Sequence, residues 1–451
     1  MSSPLVDRAP ARPRRRPALL VLGAILLTLV VVLALAVETR PRAPLAAPDA
    51  AGARAALTAG QTLQAFVESG GADGRLSLAA AEVDALLAAA GRLLPGAAAA
   101  ARLDGGEDVG LTLSLGPPNL PAPFWANLRL DLAAGPQGLS VTRARLGRLP
   151  LPPALVERAL AEAADRTLGL HGIGREAMAG IVGLTAADGR VDVAFGLDPA
   201  TRSALVDRLR ARLDFGSGEN GPVFAQLWWL DKGGDEGALP RHGSVLPYVE
   251  AVVTRAEAMR RRWADVPDRD RLSAGFLALA IYCGEPAIGT AVGVTLRPQM
   301  RGEGNHCEGT TLARRTDLRR HFLVSAGLYA EGGGAAAFGV GEVKEILDSG
   351  AGGTGFSFDD MAANLAGARL AAAFLAAPAD EWPAMLALIS DESDVMPDVS
   401  DLPRGLSEAE FRARFGEVDS PAYRDMLAEI ARRVDATPFQ RAVAAASPAA
   451  R

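Results

Sequence analysis

Residues 314–375 read RRTDLRRHFLVSAGLYAEGGGAAAFGVGEVKEILDSGAGGTGFSFDDMAANLAGARLAAAFL. Apolar residues recur here at helical spacing, and two glycine-rich breaks interrupt them. The pattern predicts three consecutive helices, over Thr316–Ala330, Ala335–Asp348 and Phe358–Ala376. The same periodicity predicts helices over Leu246–Ala264, Arg271–Tyr282 and Pro421–Asp435, and no clear strand pattern occurs among them. Residues 246–451 are therefore predicted to form an all-α domain.

On each of the three consecutive helices, polar residues recur every three or four positions and so share one face. Because the helices are otherwise apolar, their packing would enclose a polar pocket. The residues are, in chain order, Asp317, His321 and Ser325 on the first helix, Glu342, Glu345 and Asp348 on the second, and Asp360, Asn364 and Gly367 on the third.

The candidate catalytic residues of this pocket are His321, Glu345, Asp348 and Asp360. One histidine and several carboxylates on facing helices are the groups that general acid–base catalysis or metal binding requires. His321 would act as the acid or base, and the carboxylates would orient it or hold a metal. The sequence contains no motif that specifies a resident metal or cofactor.

Each of these residues also has a purely structural interpretation. Asp360 lies three positions after Ser357, which is the spacing of a helix capping box. Lys344 and Asp348 form an i,i+4 pair of the kind found on solvated helix faces. A single histidine on an apolar face is more often a hydrogen-bonded core residue than a catalyst.

This arrangement resembles YfiM-like periplasmic lipoproteins and, more distantly, small VanZ-like membrane proteins. Those proteins share a histidine on one helix, a Lys-Glu-x-x-Asp element, and an F-S-x-x-D element followed by Asn and Gly. They usually carry an Asp-Lys pair shortly before the histidine, and this sequence has Asp317 without the lysine. The resemblance implies no established activity. The matching positions are His321, Lys344, Glu345, Asp348, Phe356, Ser357, Asp360, Asn364 and Gly367.

Several familiar catalytic motifs are excluded. Asp317, His321 and Ser325 climb a single helix at about 6 Å per step, so the histidine cannot take the serine proton as in a catalytic triad. The segment around Ser357 does not match G-x-S-x-G. Glycines 350–355 lack the Gly-Lys-Ser ending of a phosphate-binding loop, and no H-E-x-x-H occurs.

Residues 57–214 mix helical and strand patterns. Apolar and polar residues alternate strictly over 109–115 (VGLTLSL), 126–132 (ANLRLDL) and 191–197 (VDVAFGL). Such alternation predicts half-buried strands with one apolar face. Pro152 and Pro153 then open a helix that extends to about Leu168. The region is predicted to be an α+β domain with an antiparallel sheet.

The segments LSLAAAEVDALLAAAG, VGLTLSLG and LGRLPLPPALVERAL, at 76–91, 109–116 and 146–160, resemble YpmS-type membrane-anchored extracytoplasmic proteins. Those proteins place a single N-terminal anchor before a helix, a curved sheet and an l-G-x-l-P-l-P turn. The resemblance covers about residues 76–213, implies an anchored extracytoplasmic protein and carries no catalytic residue.

Two segments are predicted to link these parts. Residues 38–56 are rich in Pro, Ala and Arg without a period, which indicates a tether. Residues 215–245 are glycine-rich and are predicted to be an irregular connector.

Residues 18–37 read ALLVLGAILLTLVVVLALAV and carry no charge. At 1.5 Å per residue they span about 30 Å, the thickness of a hydrocarbon core, so they predict a transmembrane helix. Residues 1–17 carry five arginines and are predicted to stay cytoplasmic. The expected location is the bacterial inner membrane, crossed once, with the body in the periplasm. A signal peptide cleaved after Ala36 is the alternative, although the apolar run is longer than usual.

The net charge of −6 and the basic N-terminus leave an acidic body, and no basic stripe occurs, so nucleic acid is excluded as a partner. An exported domain with an even cysteine count favours a disulfide between Cys283 and Cys307. One alternative is a zinc site formed by the two cysteines and His306. The other is that both cysteines are free thiols.

Two classes of function are consistent with the sequence. The first is a non-catalytic envelope protein that binds a lipid, a glycan or another envelope protein, and the absence of a specific catalytic motif favours it. The second is an envelope hydrolase that uses His321 and its carboxylates on glycan, peptide or lipid. Convergence of these side chains beside an open cleft would favour the enzyme.

Overall fold

The computed structural model describes residues 35–45, 49–68, 74–93, 96–103, 108–116, 124–168, 173–196, 221–286, 288, 305–350 and 352–446. They form a mixed α+β protein with antiparallel sheets, as predicted. No helix in these ranges is both long and apolar enough to cross a membrane. The predicted transmembrane helix 18–37 lies outside them, apart from its last three positions.

The first half of the protein combines strands with short helices. The strands are β1 (Val37–Glu38), β2 (Arg75–Ala79), β3 (Ala97–Arg102), β4 (Val109–Leu115), β5 (Trp125–Gly135), β6 (Gly138–Leu146), β7 (Leu149–Leu151), β8 (Ile181–Ala187) and β9 (Arg190–Phe195). The helices are α1 (Ala50–Glu68), α2 (Ala80–Leu93), α3 (Pro153–Leu168) and α4 (Ile173–Gly180).

These strands build two antiparallel sheets. The larger has the order β3-β4-β5-β6-β7, and the smaller has the order β2-β9-β8. The predicted alternation sets the register, because Leu111, Leu113 and Leu115 of β4 face Leu130, Leu128 and Ala126 of β5. Leu130, Val141, Ala144 and Val156 form a small buried core between the large sheet and α3.

The predicted tether at 38–56 is wrong. Val37 and Glu38 pair with Ala126 and Trp125 at the start of β5, beyond the point where β6 ends. Asn127 fixes this segment, because its Nδ2 donates to the Arg40 carbonyl at 2.9 Å. From Ala50 the chain is helical, since alanine has a high helix propensity even where proline precedes it.

The second half is largely helical. Its α-helices are α5 (Pro222–Asp235), α6 (Leu246–Ala258), α7 (Asp268–Leu279), α8 (Thr316–Ser349), α9 (Phe358–Ala376), α10 (Trp382–Leu386), α11 (Glu408–Phe415), α12 (Pro421–Asp435) and α13 (Pro438–Ala446). A π-helical turn, Ala280–Gly284, extends α7, and 3-10 turns cover Met259–Arg261 and Glu392–Asp394. Two residue pairs, β10 (Gly243–Ser244) and β11 (Thr310–Thr311), run parallel.

The predicted irregular connector at 215–245 is also wrong in part, because α5 occupies its centre. Pro222 opens this helix at a position where its missing N–H costs nothing. Val223, Leu227 and Leu230 are buried in the main core, so apolar spacing outweighs the two glycines near the end of the helix.

Helix α8 consists of two halves that correspond to the two helices predicted there. Gly333 lies between them with φ 76° and ψ −174°, a conformation that only glycine adopts readily. A straight helix would place His321 and Glu345 about 36 Å apart, yet their side chains lie 3.8 Å apart. The chain therefore reverses direction at Gly333, and the two halves pack side by side.

Helix α9 packs along α8 at unusually close range. A Cβ atom on Gly367 would lie 1.9 Å from the Phe322 carbonyl oxygen, so no larger residue fits here without moving a backbone. The surrounding core holds large, fully buried side chains, which include Phe276, Phe322, Phe356, Phe358, Phe374, Trp382 and Tyr423.

A charged cluster joins the two halves of the protein. Arg92 at the end of α2 donates to Glu342 of α8 at 2.6 Å and to Asp419 at 2.5 Å. Glu342 is fully buried and also accepts from the Tyr423 hydroxyl at 2.6 Å. Helix α1 packs beside it, with Ala53 in the main core. Loss of Arg92 would leave a buried carboxylate short of its partner.

The predicted disulfide is confirmed, since Cys283 and Cys307 are bonded with their Cα atoms 5.3 Å apart. Both residues are buried. Arg319 of α8 donates to the carbonyls of Glu308 and Thr310 at 2.8 and 3.0 Å. The bond and these contacts fix the turn before β11 against the start of α8.

We predict that Gly367→Ala lowers the free energy of unfolding by about 2–4 kcal/mol, because the added methyl group overlaps the α8 backbone. Gly60→Ala is the control, since Gly60 also lies inside a helix but has open space around it. That change should raise the stability by about 0.5–1 kcal/mol. Urea unfolding of both variants measures the difference, and equal effects would refute the close packing of α8 and α9.

Candidate functional site

The two halves of α8 and the start of α9 bring three of the four candidate residues together. His321 Nε2 lies 3.5 Å from Asp360 Oδ2 and 3.8 Å from Glu345 Oε1. Lys344 Nζ lies 3.3 Å from the same nitrogen. Glu345 is fully buried, and His321 and Asp360 are each 8% exposed. The predicted convergence of the polar faces is therefore present.

The fourth candidate, Asp348, is placed differently. Its Oδ2 accepts from Lys344 Nζ at 2.7 Å, one turn further along α8 and nearer the solvent. Asp348 thus reaches His321 only through Lys344. Its structural interpretation as the partner of an i,i+4 pair is the one that the geometry favours.

Asn364 of α9 fixes the histidine. Its Oδ1 accepts from His321 Nδ1 at 3.0 Å and from Ser325 Oγ at 2.9 Å. Because an amide oxygen only accepts, His321 carries its proton on Nδ1. The lone pair of Nε2 then accepts from the Lys344 ammonium at 3.3 Å, with Asp360 and Glu345 beside it. Gly341 makes room, since a Cβ there would lie 2.6 Å from the Asn364 amide nitrogen.

Burial sets the charge of the histidine. Removal from water lowers the pKa of His321 to about 4, and the neighbouring Lys344 ammonium acts in the same direction. Asn364 and the nearby carboxylates oppose this shift without cancelling it. The imidazole is therefore neutral at pH 7, with its Nε2 able to accept a proton.

The two carboxyl groups are shifted in the opposite direction. Burial raises the pKa of Glu345 to about 8, against the opposing charge of Lys344. Burial and the adjacent charge of Asp359 raise the pKa of Asp360 to about 7. One buried oxygen of Asp360, Oδ1, has no hydrogen-bond partner among the described residues, which suits a carboxyl group that keeps its proton.

Glu345 lies behind the histidine and has fixed partners. Its Oε2 accepts from the Ser357 backbone N–H at 3.1 Å, and its Oε1 lies 3.5 Å from Lys344 Nζ. It does not line the cleft described below, whereas His321 and Asp360 do. Glu345 is thus positioned to orient the other two groups and not to touch a ligand.

Sequence reasoning missed one residue of the site, Arg315. It pairs with Asp359 and Asp317, and its Nη2 lies 3.8 Å from Asp360 Oδ1. Arg315 closes a tight turn in which Ala313 and Arg314 have φ of 50° and 63°. Such values usually call for Gly or Asn, so no turn signal marks this position in the sequence.

A cleft of about 840 Å³ opens over His321 and Asp360. Its volume lies in the range of small-molecule sites. One wall is apolar and is formed by Ile288, Val324, Leu328 and Val340. The lining also includes the polar and charged side chains of Lys344, Thr354, Ser357 and Arg404. The catalytic candidates therefore lie at an accessible site with both apolar and polar side chains in its lining.

The same cluster has donors that suit a divalent cation. One ligand atom each from His321, Glu345 and Asp360 lies within 4.8 Å of the others. However, Lys344 Nζ faces two of these donors, at 3.3 and 3.5 Å. An ammonium group at that point repels a second cation, so the geometry favours proton sharing over metal binding.

No protein family matches this chain, and comparison with curated proteins and with solved structures finds no significant match either. The assignment of the site consequently rests on its own geometry.

We predict that the stability of the protein depends on the protonation of Glu345. The folded-state pKa of about 8 lies above the usual 4.5, so this contribution to stability is complete below pH 4.5 and is lost as the pH rises toward 8. Glu345→Gln cannot ionise. Relative to wild type, its free energy of unfolding should therefore rise by on the order of 3 kcal/mol between pH 5 and pH 8.

Urea unfolding at the two pH values measures this change. Glu417→Gln is the control for the loss of an exposed carboxylate outside the cluster. A Glu345→Gln difference that stays constant from pH 5 to pH 8 would show that Glu345 is ionised in the fold.

Proposed function

We propose that this protein is a hydrolase of the cell envelope that cleaves carboxylic esters by general acid–base catalysis. The observation that carries the proposal is the meeting of a neutral histidine and a carboxyl group with a raised pKa at the floor of an open cleft. Environments that push the pKa values of adjacent groups apart are the mark of paired acid and base roles.

In the proposed reaction His321 Nε2 takes a proton from a water molecule in the cleft. The water oxygen attacks the ester carbonyl carbon, and a tetrahedral intermediate forms. Asp360 donates its proton to the leaving alcohol oxygen as the carbon–oxygen bond breaks. The proton held by His321 then returns to Asp360 across their 3.5 Å separation, which restores both groups.

Water is the proposed nucleophile because the nearby serine is engaged elsewhere. Ser325 Oγ donates to Asn364 Oδ1, the same oxygen that accepts from His321 Nδ1. The serine proton is thus directed away from Nε2, the base. Ester cleavage also suits the cluster better than glycoside cleavage, because a retaining or inverting glycosidase needs one ionised carboxylate and both carboxyl groups here have raised pKa values.

The cellular setting of the proposal comes from the sequence. The apolar run 18–37 and the arginines before it support a single-pass anchor in a bacterial inner membrane, with the body in the periplasm. The Cys283–Cys307 disulfide is consistent with an oxidising compartment. A non-catalytic envelope protein that binds a lipid, glycan or protein in the same cleft is the second class of function, and the test below separates the two.

We predict that the purified full-length protein hydrolyses ethyl butyrate, measured as release of butyrate, with a bell-shaped dependence of kcat/KM on pH. The rate should rise as His321 loses its proton near pH 4 and fall as Asp360 loses its proton near pH 7. His321→Ala and Asp360→Asn should each lower kcat/KM by at least about 100-fold. Asp380→Asn is the control, because Asp380 is exposed and outside the cleft.

Three outcomes would contradict the proposal. Absence of hydrolysis with a folded protein would favour the binding class. Activity that is lost with EDTA and restored by a divalent cation would assign the cluster to a metal. Full activity in folded Asp360→Asn would remove the proposed acid.

A further inference from the structure

The cleft over His321 has an asymmetric lining that bears on the substrate. The apolar wall consists of Ile288, Val324, Leu328 and Val340. Val340 is 42% exposed, although it lies next to the buried cluster. Exposed apolar surface that is continuous with a reactive site is typical of a surface that contacts ligand.

The polar part of the lining carries an unpaired positive charge. Most ionisable groups that line the cleft are in ion pairs, such as Arg320 with Glu285 at 2.6 Å and Lys344 with Asp348 at 2.7 Å. Arg404 is exposed and, within the described part of the chain, forms neither an ion pair nor a side-chain hydrogen bond. A guanidinium in this state is available to an anionic group of the ligand.

We infer that the substrate of the proposed hydrolase is an anionic amphiphile, with an acyl chain on the wall at Val324, Leu328 and Val340 and a phosphate-bearing headgroup at Arg404. The inference rests on the proposed function. The ester bond between chain and headgroup would then lie over His321 and Asp360, which also line the cleft. Val324 and Leu328 follow His321 along α8 toward Gly333, whereas Arg404 precedes Gly405, whose N–H donates to Ser357 Oγ at 3.1 Å before the start of α9.

The first experiment compares acyl chains. The substrates are 1-acetyl- and 1-octanoyl-glycerol 3-phosphate, and the release of acetate or octanoate by the full-length protein is measured. Each methylene fully removed from water gains about fourfold in affinity. Six additional methylenes that are half-buried should therefore raise kcat/KM by about 60-fold. Equal values for the two substrates would overturn the acyl-chain assignment and leave the hydrolase intact.

A matched pair of variants locates the chain. Val340→Asp should lower kcat/KM for the octanoyl substrate at least 10-fold, since the new carboxylate would lose its hydration against the acyl chain. Leu388→Asp is the control, because Leu388 is also 42% exposed but lies away from the cleft. An equal loss in both variants would refute the wall as the chain site.

The second experiment tests the headgroup. Octanoyl-glycerol 3-phosphate should have a kcat/KM about 10-fold above that of neutral octanoyl-glycerol, and Arg404→Gln should abolish this preference. Arg441→Gln is the control, since Arg441 is exposed and outside the cleft. A preference that survives Arg404→Gln would overturn the headgroup assignment.

If no ester is cleaved, a binding experiment tests the amphiphile site independently of the proposed catalysis. A diazirine-bearing fatty acid is photo-crosslinked to the full-length protein, and the labelled residues are mapped by mass spectrometry. Labels on Val324, Leu328 or Val340 that excess octanoyl-glycerol 3-phosphate displaces would support the amphiphile site. Labels elsewhere alone would refute it.

Discussion

The site depends on one constraint, the burial of three ionisable side chains in a space too small for three charges. Close packing of α8 on α9, which Gly367 allows, excludes water from this space. The ionisation state of lowest free energy has a neutral His321 and protons on both carboxyl groups. The reversal of α8 at Gly333 creates the constraint, because it brings Glu345 back beside His321.

The remaining contacts serve this arrangement. Asn364 fixes the proton of His321 on Nδ1, and the Ser357 N–H fixes Glu345. Lys344 stays charged because Asp348 accepts from its Nζ at 2.7 Å, and its surroundings raise its pKa despite burial. At greater distance, the buried pair of Arg92 and Glu342 joins the sheet-bearing half of the protein to the second half of α8. The two halves of the chain thus form one structure around the site.

The sequence predicted the helices that show clear periodicity better than the elements that depend on distant contacts. Periodicity gave Phe358–Ala376 and Pro421–Asp435 to the residue, and it gave three of the four site residues, because spacing along a helix determines which side chains share a face. The strand at Val37 and the helix at Pro222–Asp235 were missed, since distant partners stabilise them. Arg315 was missed because its turn uses Ala313 and Arg314 in conformations that neither residue favours locally.

The most direct test of the buried cluster is whether the His321 ring is neutral at pH 7. Nitrogen-15 NMR of the imidazole, assigned by comparison with His321→Ala, follows the protonation of both ring nitrogens as the pH is changed. We expect a neutral ring with its proton on Nδ1 at pH 7 and a midpoint near pH 4. A midpoint at or above the ordinary value of 6.5, or a proton on Nε2 at pH 7, would contradict it.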